Sequence, residues 1–307
     1  TAGPLLATAE QLTAYRQAQG LATRVVDIED IHDEFNGGIP NPHALRSFLA
    51  HARQAWVSAP RAVVLAGAGT SDYRDLLGFG GNLLPPLMVS TAGGLSSSDL
   101  SFGDLAGNDG VPEVAIGRLP VTTPAELVAA LAKIEAYEAE GAAPWTGTAV
   151  VVADDPEGGF DFGHDSDTLA SRLGGLAPNR LYLGPLSATQ VHAGLTSAWS
   201  DGAAVVTYLG HGGIDRRAQE SVFSIPDVAS LGNGPRLPLV ASLTCVIGRY
   251  EVPGFDCLAS ALVRQADGGA IGVWAPSGIA NHADSLLLGQ VFAEALWRDD
   301  VLTVGDA

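Results

Sequence analysis

The chain has 307 residues, 47% of them hydrophobic, which is enough to bury the core of one large domain or two ordinary ones. Its 34 acidic residues against 16 basic ones give a net charge of -18, which argues against nucleic acid or an anionic membrane surface as a partner. The same charge favours a basic substrate, with an ordinary solvated acidic surface as the alternative. No membrane span is expected, since the sequence has no apolar run of about 18 residues.

The first half of the chain alternates helical patterns with short apolar runs, which predicts a parallel α/β architecture. In chain order we expect helix 7–19, strand 22–28, helix 43–55, strand 62–66, a loop-rich stretch over 67–123 and helix 124–140. The loop-rich stretch is longer than a compact domain normally uses as a connection. We therefore expect it to be functional or to bind a metal.

A connector rich in Gly, Ala and Pro over residues 141–147 marks the expected domain boundary. It divides the chain into an N-terminal α/β subdomain, residues 1–146, and a second subdomain, residues 147–307. The second subdomain is predicted to contain strands 148–153, 180–183, 203–209, 237–243 and 270–274, and helices 166–173, 188–199, 225–231, 256–265 and 283–297. These strands are nearly continuous apolar runs, as expected when helices cover both faces of a sheet.

One predicted strand of the second subdomain ends at a histidine between glycines, Gly210-His211-Gly212. Active sites of parallel sheets lie beyond the carboxyl ends of the strands. The glycines allow a peptide backbone to approach closely and leave an N–H free to bind a carbonyl. A single histidine after a strand is more often structural than catalytic, so His211 needs a partner.

A second strand end supplies that partner, because the run 237–243 is followed by Cys245. The separation of 34 residues from His211 suits one crossover connection, and neighbouring parallel strands would bring both side chains to one edge. There the imidazole can take the thiol proton, and the thiolate can attack a carbonyl. The pair therefore indicates cysteine hydrolase chemistry. The other cysteine, Cys257, is interpreted as core packing, since a bridge to Cys245 would remove the nucleophile.

This arrangement of strand-Gly-His-Gly and strand-Cys resembles the caspase-like peptidase clan, and the wider sequence resembles its gingipain family, peptidase family C25. The matching segments keep the family's order along almost the whole chain: residues 15–21, 26–31, 72–75, 98–104, 116–120, 133–138 and 267–271. A chance match on the histidine and cysteine alone does not explain this order.

The resemblance implies caspase-like parallel-sheet subdomains with helices on both faces, the second of them catalytic. By position, Cys245 is the expected nucleophile and His211 the acid/base. The N–H groups of Gly212 and Cys245 are the expected oxyanion hole. Asp154, at a strand end, is the expected carboxylate that orients the histidine, with Asp155 as the alternative.

The acidic loop that follows is expected to contribute to the substrate pocket. In the best-known family members a carboxylate from this region selects a basic side chain, and Asp161 is the expected counterpart. Closely spaced carboxylates also suit calcium, and a third interpretation has Asp165 and Ser166 capping the next helix. Ser277 and His282, after the last strand, are further expected pocket residues, with a surface position at a helix start as the alternative for His282.

The leading hypothesis is a cysteine endopeptidase that forms a thioester acyl-enzyme and cleaves after Arg or Lys. A catalytically silent binding or secretion-associated module on the same fold and a transpeptidase using the same thioester are the alternatives. We expect no cofactor for catalysis; calcium as a structural ion stays open, and no metal ligands are assigned. The resemblance also implies polypeptide substrates, a bacterial secreted or cell-envelope location, and flanking domains or a pro-segment outside this chain.

Overall fold

A computed structural model describes residues 1–301 and 303–307. The chain forms two compact units. Unit 1 comprises Thr1–Thr91, Leu95–Leu131 and Tyr250–Phe255, and unit 2 comprises Ala92–Gly94, Ala132–Arg249 and Asp256–Ala307. The main division, after Leu131, falls inside a helix, upstream of the Gly/Ala/Pro connector that the sequence suggested as a boundary.

Unit 1 is built on a pair of parallel strands. Its elements are α1 Leu6–Ala18, α2 Ile28–Asn36, α3 Pro42–Ala55, β1 Ala62–Ala66, β2 Met88–Thr91, β3 Gly94–Ser97, α4 Leu100–Gly103 and β4 Ala115–Leu119. Strand β1 pairs with β4 in parallel from Ala62↔Ala115 to Ala66↔Leu119, and β2 pairs with β3. Apolar side chains of α2 and α3 pack with Leu65 of β1 in one core cluster.

One prediction for unit 1 is wrong. Residues 22–28 form no strand; helix α2 begins at Ile28 instead, with the Asp27 carboxylate capping it by accepting from the Glu29 N–H. The apolar run lacks a partner strand, and the Val26 carbonyl accepts from the Thr1 ammonium instead. The stretch 67–123 is mostly loop, as expected, and also contains the short elements β2, β3, α4 and β4.

Unit 2 contains a five-stranded sheet, and helix α5, Pro124–Glu140, leads into it across the division. The further elements are β5 Thr148–Ala153, α6 Phe162–Ala170, β6 Ala177–Tyr182, α7 Ala188–Asp201, β7 Val205–Leu209, β8 Arg216–Arg217, β9 Phe223–Ser224, α8 Ile225–Val228, β10 Leu239–Leu243, α9 Leu258–Arg264, β11 Gly272–Trp274 and α10 His282–Ala295. Strands β8 and β9 form a short antiparallel hairpin.

The five-stranded sheet has the order β11-β10-β7-β5-β6, and all its strands are parallel. Alternate residues of the strands enter two different cores: one includes side chains of α7 and α9, the other side chains of α6 and α10. Helices therefore cover both faces, which confirms the predicted fold class. The strand order reverses between β5 and β7, the place where open α/β sheets bind their ligands.

Within the described residues, no helix has the length and apolar character needed to cross a bilayer.

Candidate active site

His211 lies two residues beyond the fully buried strand β7. The intervening Gly210 has φ 155°, and a Cβ at this position would lie 2.3 Å from the Cβ of Asp154. A side chain cannot be accommodated there, which explains the glycine before the histidine. The His211 side chain itself is 49% exposed, so its imidazole is accessible from solvent.

Cys245 lies two residues beyond β10, and β10 is the direct parallel neighbour of β7, as predicted. Leu209 pairs with Leu243 in the register, so His211 and Cys245 occupy equivalent positions beyond the two strands. The strand ends are in close contact: a Cβ at Gly212 would lie 2.5 Å from Thr244 Oγ1 and 3.1 Å from the Cys245 carbonyl oxygen. The glycine after the histidine thus permits the two segments to approach.

The turn after β10 is held by the loop that follows β11. Val246 has φ 46°, a left-handed conformation that is uncommon for a β-branched residue. Its N–H donates to the Gly278 carbonyl at 2.9 Å, and the Gly248 N–H donates to the Pro276 carbonyl at 2.9 Å. Ser277 lies between these two acceptors, so this predicted pocket residue is in a segment that braces the cysteine turn.

The two cysteines have different environments, and both are free thiols. Cys245 is partly buried, and its Sγ lies 3.5 Å from the N and 3.7 Å from the O of Ala280. Cys257 is fully buried at the N-cap of α9, where its Sγ accepts from the Ser260 N–H at 3.5 Å. Burial raises the pKa of the Cys257 thiol. The second cysteine is therefore core packing, as expected.

Two main-chain donors at this edge are unpaired in the described part of the chain. Across residues 1–301 and 303–307, neither the Gly212 N–H nor the Cys245 N–H donates to an acceptor of the chain. Both belong to the segments that the Gly212 contact brings together. Unpaired N–H groups beside a nucleophile can stabilise a developing oxyanion.

Two carboxylates approach His211 from different sides. Asp154, which follows β5, accepts from the main-chain N–H of His211 at 2.8 Å. The imidazole Nε2 instead lies 3.4 Å from Glu157 Oε2, and both side chains are about half exposed. Asp154 was expected to orient the histidine, with Asp155 as the alternative; in the structure Asp154 contacts the main chain of His211, and Glu157 is the carboxylate beside the ring. The reason is that β5 ends beside β7, so Asp154 lies at the level of the main chain, whereas Glu157 follows three residues later.

Asp161 begins helix α6 as its N-cap. Its Oδ1 accepts from the His164 N–H at 2.9 Å, so one carboxylate oxygen is engaged in the chain. Capping of this helix by Asp165 and Ser166 was one of three interpretations of the acidic loop; in the structure Asp161 is the cap. The other Asp161 oxygen has no bond that ties it to the helix.

An aromatic cluster links His211 to the start of α10. The Phe162 ring centroid lies 5.6 Å from that of His211 and 5.2 Å from that of His282, and Phe160 lies 4.5 Å from His282. His282 Nε2 lies 2.8 Å from Asp165 Oδ2, with exposed fractions of only 15% and 23%. His282 is the first residue of α10 but is largely covered, so it belongs to this cluster. The sequence did not indicate that Phe162 lies beside His211 or that Asp165 contacts His282, because only the fold brings these residues together.

One acidic group meets a geometric condition for binding a cation. Asp154, Asp155 and Glu220 each offer a carboxylate oxygen within 4.8 Å of the others. Oxygen donors of this kind suit calcium, although Asp154 already accepts from the His211 N–H. No second feature of the described residues indicates an ion there.

A half-exposed imidazole and a free thiol at adjacent strand ends of a parallel α/β sheet, beside unpaired N–H groups, form the arrangement typical of cysteine hydrolases. The comparison with known families agrees with this class. The chain belongs to peptidase family C25, whose model matches residues 1–307.

Two curated relatives are gingipains. Gingipain R2 of Porphyromonas gingivalis strain W83 is 25% identical over 273 residues, covering 84% of this chain and 33% of the relative. Gingipain R2 of a second strain of that organism is 28% identical over 266 residues, covering 83% and 32%. The chain therefore spans about a third of the length of these relatives.

Solved structures share the fold. A complex of Porphyromonas gingivalis RgpB pro- and mature domains aligns with a TM-score of 0.74 at 20% identity, covering 94% of this chain and 65% of that one. The Arg-specific cysteine proteinase gingipain R (RgpB) aligns with a TM-score of 0.67 at 20% identity, covering 92% and 65%. This likeness agrees with the caspase-like fold expected from the sequence.

Proposed function

We propose that the protein is a cysteine endopeptidase in which Cys245 is the nucleophile and His211 the acid/base. The observation that carries the proposal is the register of β7 and β10, which places the two residues at equivalent positions beyond adjacent parallel strands. Membership of peptidase family C25 supports the same chemistry. A silent module has no physical need for an accessible imidazole and a free thiol at adjacent strand ends.

The proposed reaction has two halves. His211 takes the proton of the Cys245 thiol, and the sulfur attacks the carbonyl carbon of the peptide bond. The oxyanion formed accepts hydrogen bonds from the Gly212 and Cys245 N–H groups; removing one such donor typically costs about 100- to 1000-fold in rate. The intermediate then collapses to a thioester as His211 gives its proton to the leaving amine. Water attacks the thioester in the second half and releases the acid.

We also propose a preference for a basic residue before the cleaved bond. The net charge of -18 favours cationic peptides, and Asp161 and Asp165 lie on either side of Phe162, whose ring contacts His211. Each carboxylate has one oxygen that is not used by the chain contacts described above, the His164 N–H and the His282 ring. A carboxylate in a partly covered pocket pairs well with a guanidinium. Gingipain R, whose structure aligns with this chain, is an Arg-specific cysteine proteinase, which agrees with this preference.

The first test uses Cys245→Ala and Cys257→Ser. Cys245→Ala should abolish cleavage of fluorogenic peptides, whereas Cys257→Ser should keep it, because serine is also a good N-cap. Iodoacetamide should label Cys245 and spare Cys257, whose thiol is buried and has a raised pKa. Full activity of Cys245→Ala would refute the assignment.

A positional scan of Arg, Lys and Ala before the cleaved bond tests the substrate preference. Asp161→Asn and Asp165→Asn should each be assayed; the pocket carboxylate is the one whose loss lowers kcat/KM for the Arg peptide by about tenfold or more and spares the Ala peptide. An added amine nucleophile separates hydrolysis from transpeptidation by its product. The same assay with a chelator tests whether activity requires calcium. We propose at most a structural role for this ion.

A further inference from the structure

Side chains hold the main chain of His211 on both sides. Its N–H donates to Asp154 Oδ2 at 2.8 Å, and its carbonyl oxygen accepts from the Tyr208 hydroxyl at 2.5 Å. The Ala218 N–H lies 2.9 Å from that carbonyl and 2.9 Å from the Tyr208 hydroxyl oxygen. Asp154 follows β5 and Tyr208 belongs to β7, so two neighbouring strands fix one residue.

The space for these contacts is provided by Gly210. A Cβ at this position would lie 2.3 Å from Asp154 Cβ and 2.8 Å from the Tyr208 hydroxyl oxygen. Asp154 is 3% exposed and Tyr208 is 0% exposed, so the hydrogen bonds lie in the protein interior, where water competes little.

Burial of the Asp154 carboxylate is costly. Desolvation raises its pKa, although the N–H groups of His211 and Asp155 act in the opposite direction. Among the described residues it has no ion-pair partner, so its hydrogen bonds offset the cost only in part. Desolvation also raises the pKa of Tyr208 well above its ordinary value, so its hydroxyl remains a proton donor. A carboxylate whose burial is costly and which is directed at His211 indicates a functional role.

We propose that Asp154 and Tyr208 are positioning residues: they fix the main chain of His211 and thereby the direction in which its imidazole leaves the strand end. The inference rests on the proposed function, because an acid/base must lie within hydrogen-bond reach of the proton that it transfers. A misplacement of about 1 Å can cost about 100-fold in rate. Asp154 thus acts on the main chain, whereas Glu157 is the carboxylate beside the ring.

The first test compares Tyr208→Phe with Thr207→Val in the full chain. Both variants remove a buried hydroxyl from β7, but the Thr207 Oγ1 has no hydrogen-bond partner among the described residues. Tyr208→Phe should lower kcat about tenfold or more and leave KM within about twofold, since it disturbs the acid/base and not the pocket. Thr207→Val should leave both constants within about twofold.

The second test compares Asp154→Ala with Asp154→Asn. Asparagine keeps an oxygen that can accept from the His211 N–H, so it should retain more of the wild-type kcat than alanine does. Asp154→Asn should also unfold at the same temperature as the wild type or a higher one, because the buried charge is gone. A lower kcat in a variant that is no less stable is not expected from a purely structural role.

The results of these tests distinguish failure of the positioning role from failure of the proposed function. Wild-type kcat in Tyr208→Phe, or equal losses in Tyr208→Phe and Thr207→Val, would overturn the positioning role while leaving the peptidase intact. A loss confined to stability in both Asp154 variants would do the same. If the wild-type chain cleaves no peptide in the scan, the proposed function fails and the positioning role fails with it.

Discussion

Each unit of the chain buries an arginine, and the two arginines differ in their partners. In unit 1 the Arg118 guanidinium makes two bonds of 2.7 Å to Asp99 and donates to the carbonyls of Gly67 and Leu84 at 2.8 and 3.0 Å. Its cation also lies 4.7 Å from the ring centroid of Tyr250. All three side-chain nitrogens of this buried cation thus have an acceptor.

In unit 2 the fully buried Arg217 has no comparable set of hydrogen-bond acceptors among the described residues. None of its three side-chain nitrogens has a hydrogen-bond partner in the described part of the chain, and it lies 5.6 to 5.7 Å from the rings of Trp199, Tyr208 and Phe223. Burial lowers its pKa to about 10. For Arg118 burial acts in the same direction, but Asp99 and Tyr250 outweigh it and raise the pKa. Burial therefore does not by itself show that a charge stabilises the fold; its partners decide.

The largest effect is expected for Asp99→Asn. It removes the negative charge beside Arg118 and leaves a buried cation without an ionised partner, so the free energy of unfolding should fall by about 3 kcal/mol. Urea unfolding would measure this. The matched control is Glu294→Gln, which breaks the exposed pair with Arg172, whose side chains are 36% and 54% accessible; its effect should be at most about 1 kcal/mol. Equal losses in the two variants would show that the buried pair contributes no more to stability than the exposed pair.

A smaller effect of opposite sign is expected for Arg217→Met. Methionine fills a similar volume and removes a buried charge that has no hydrogen bonds, so the free energy of unfolding should rise by about 1 kcal/mol despite the lost ring contacts. The same urea experiment measures it. A loss of more than about 1 kcal/mol would mean that the three rings compensate the desolvation of the cation.

Much of the fold was predictable, because strands and helices with buried faces leave periodic patterns. Strands β1 and β5 and helix α5 match the predicted bounds, and the parallel sheet with helices on both faces follows from the apolar runs. Residues 22–28 carry a similar pattern without becoming a strand, since a strand also needs a partner. Conversely, β4 was not predicted, because its pairing with β1 joins residues about fifty positions apart.

The candidate site could also be predicted only in part from the sequence. His211 and Cys245 were identifiable because each follows an apolar strand, and the register between β7 and β10 needed only the rule that such strands are neighbours. The side chains around His211 were not identifiable in this way. Asp154 was expected to orient the histidine, but its contact with the main chain was not predicted. Glu157 and Tyr208 were not considered, since their positions depend on a loop and on strand alignment.

The smallest effect is expected for Glu157→Gln, because its contact with His211 is exposed to solvent. The Glu157 carboxylate lies 3.4 Å from His211 Nε2 with 56% of its side chain exposed, so water and salt screen the interaction. We expect kcat/KM to fall by less than about threefold, and by still less at about 1 M salt, where the screening length is about 3 Å. Glu157→Asp, which shortens the reach by one methylene, should lie between Gln and the wild type. A loss as large as that of Tyr208→Phe would show that the ring contact, and not the main-chain contacts, sets the position of the imidazole.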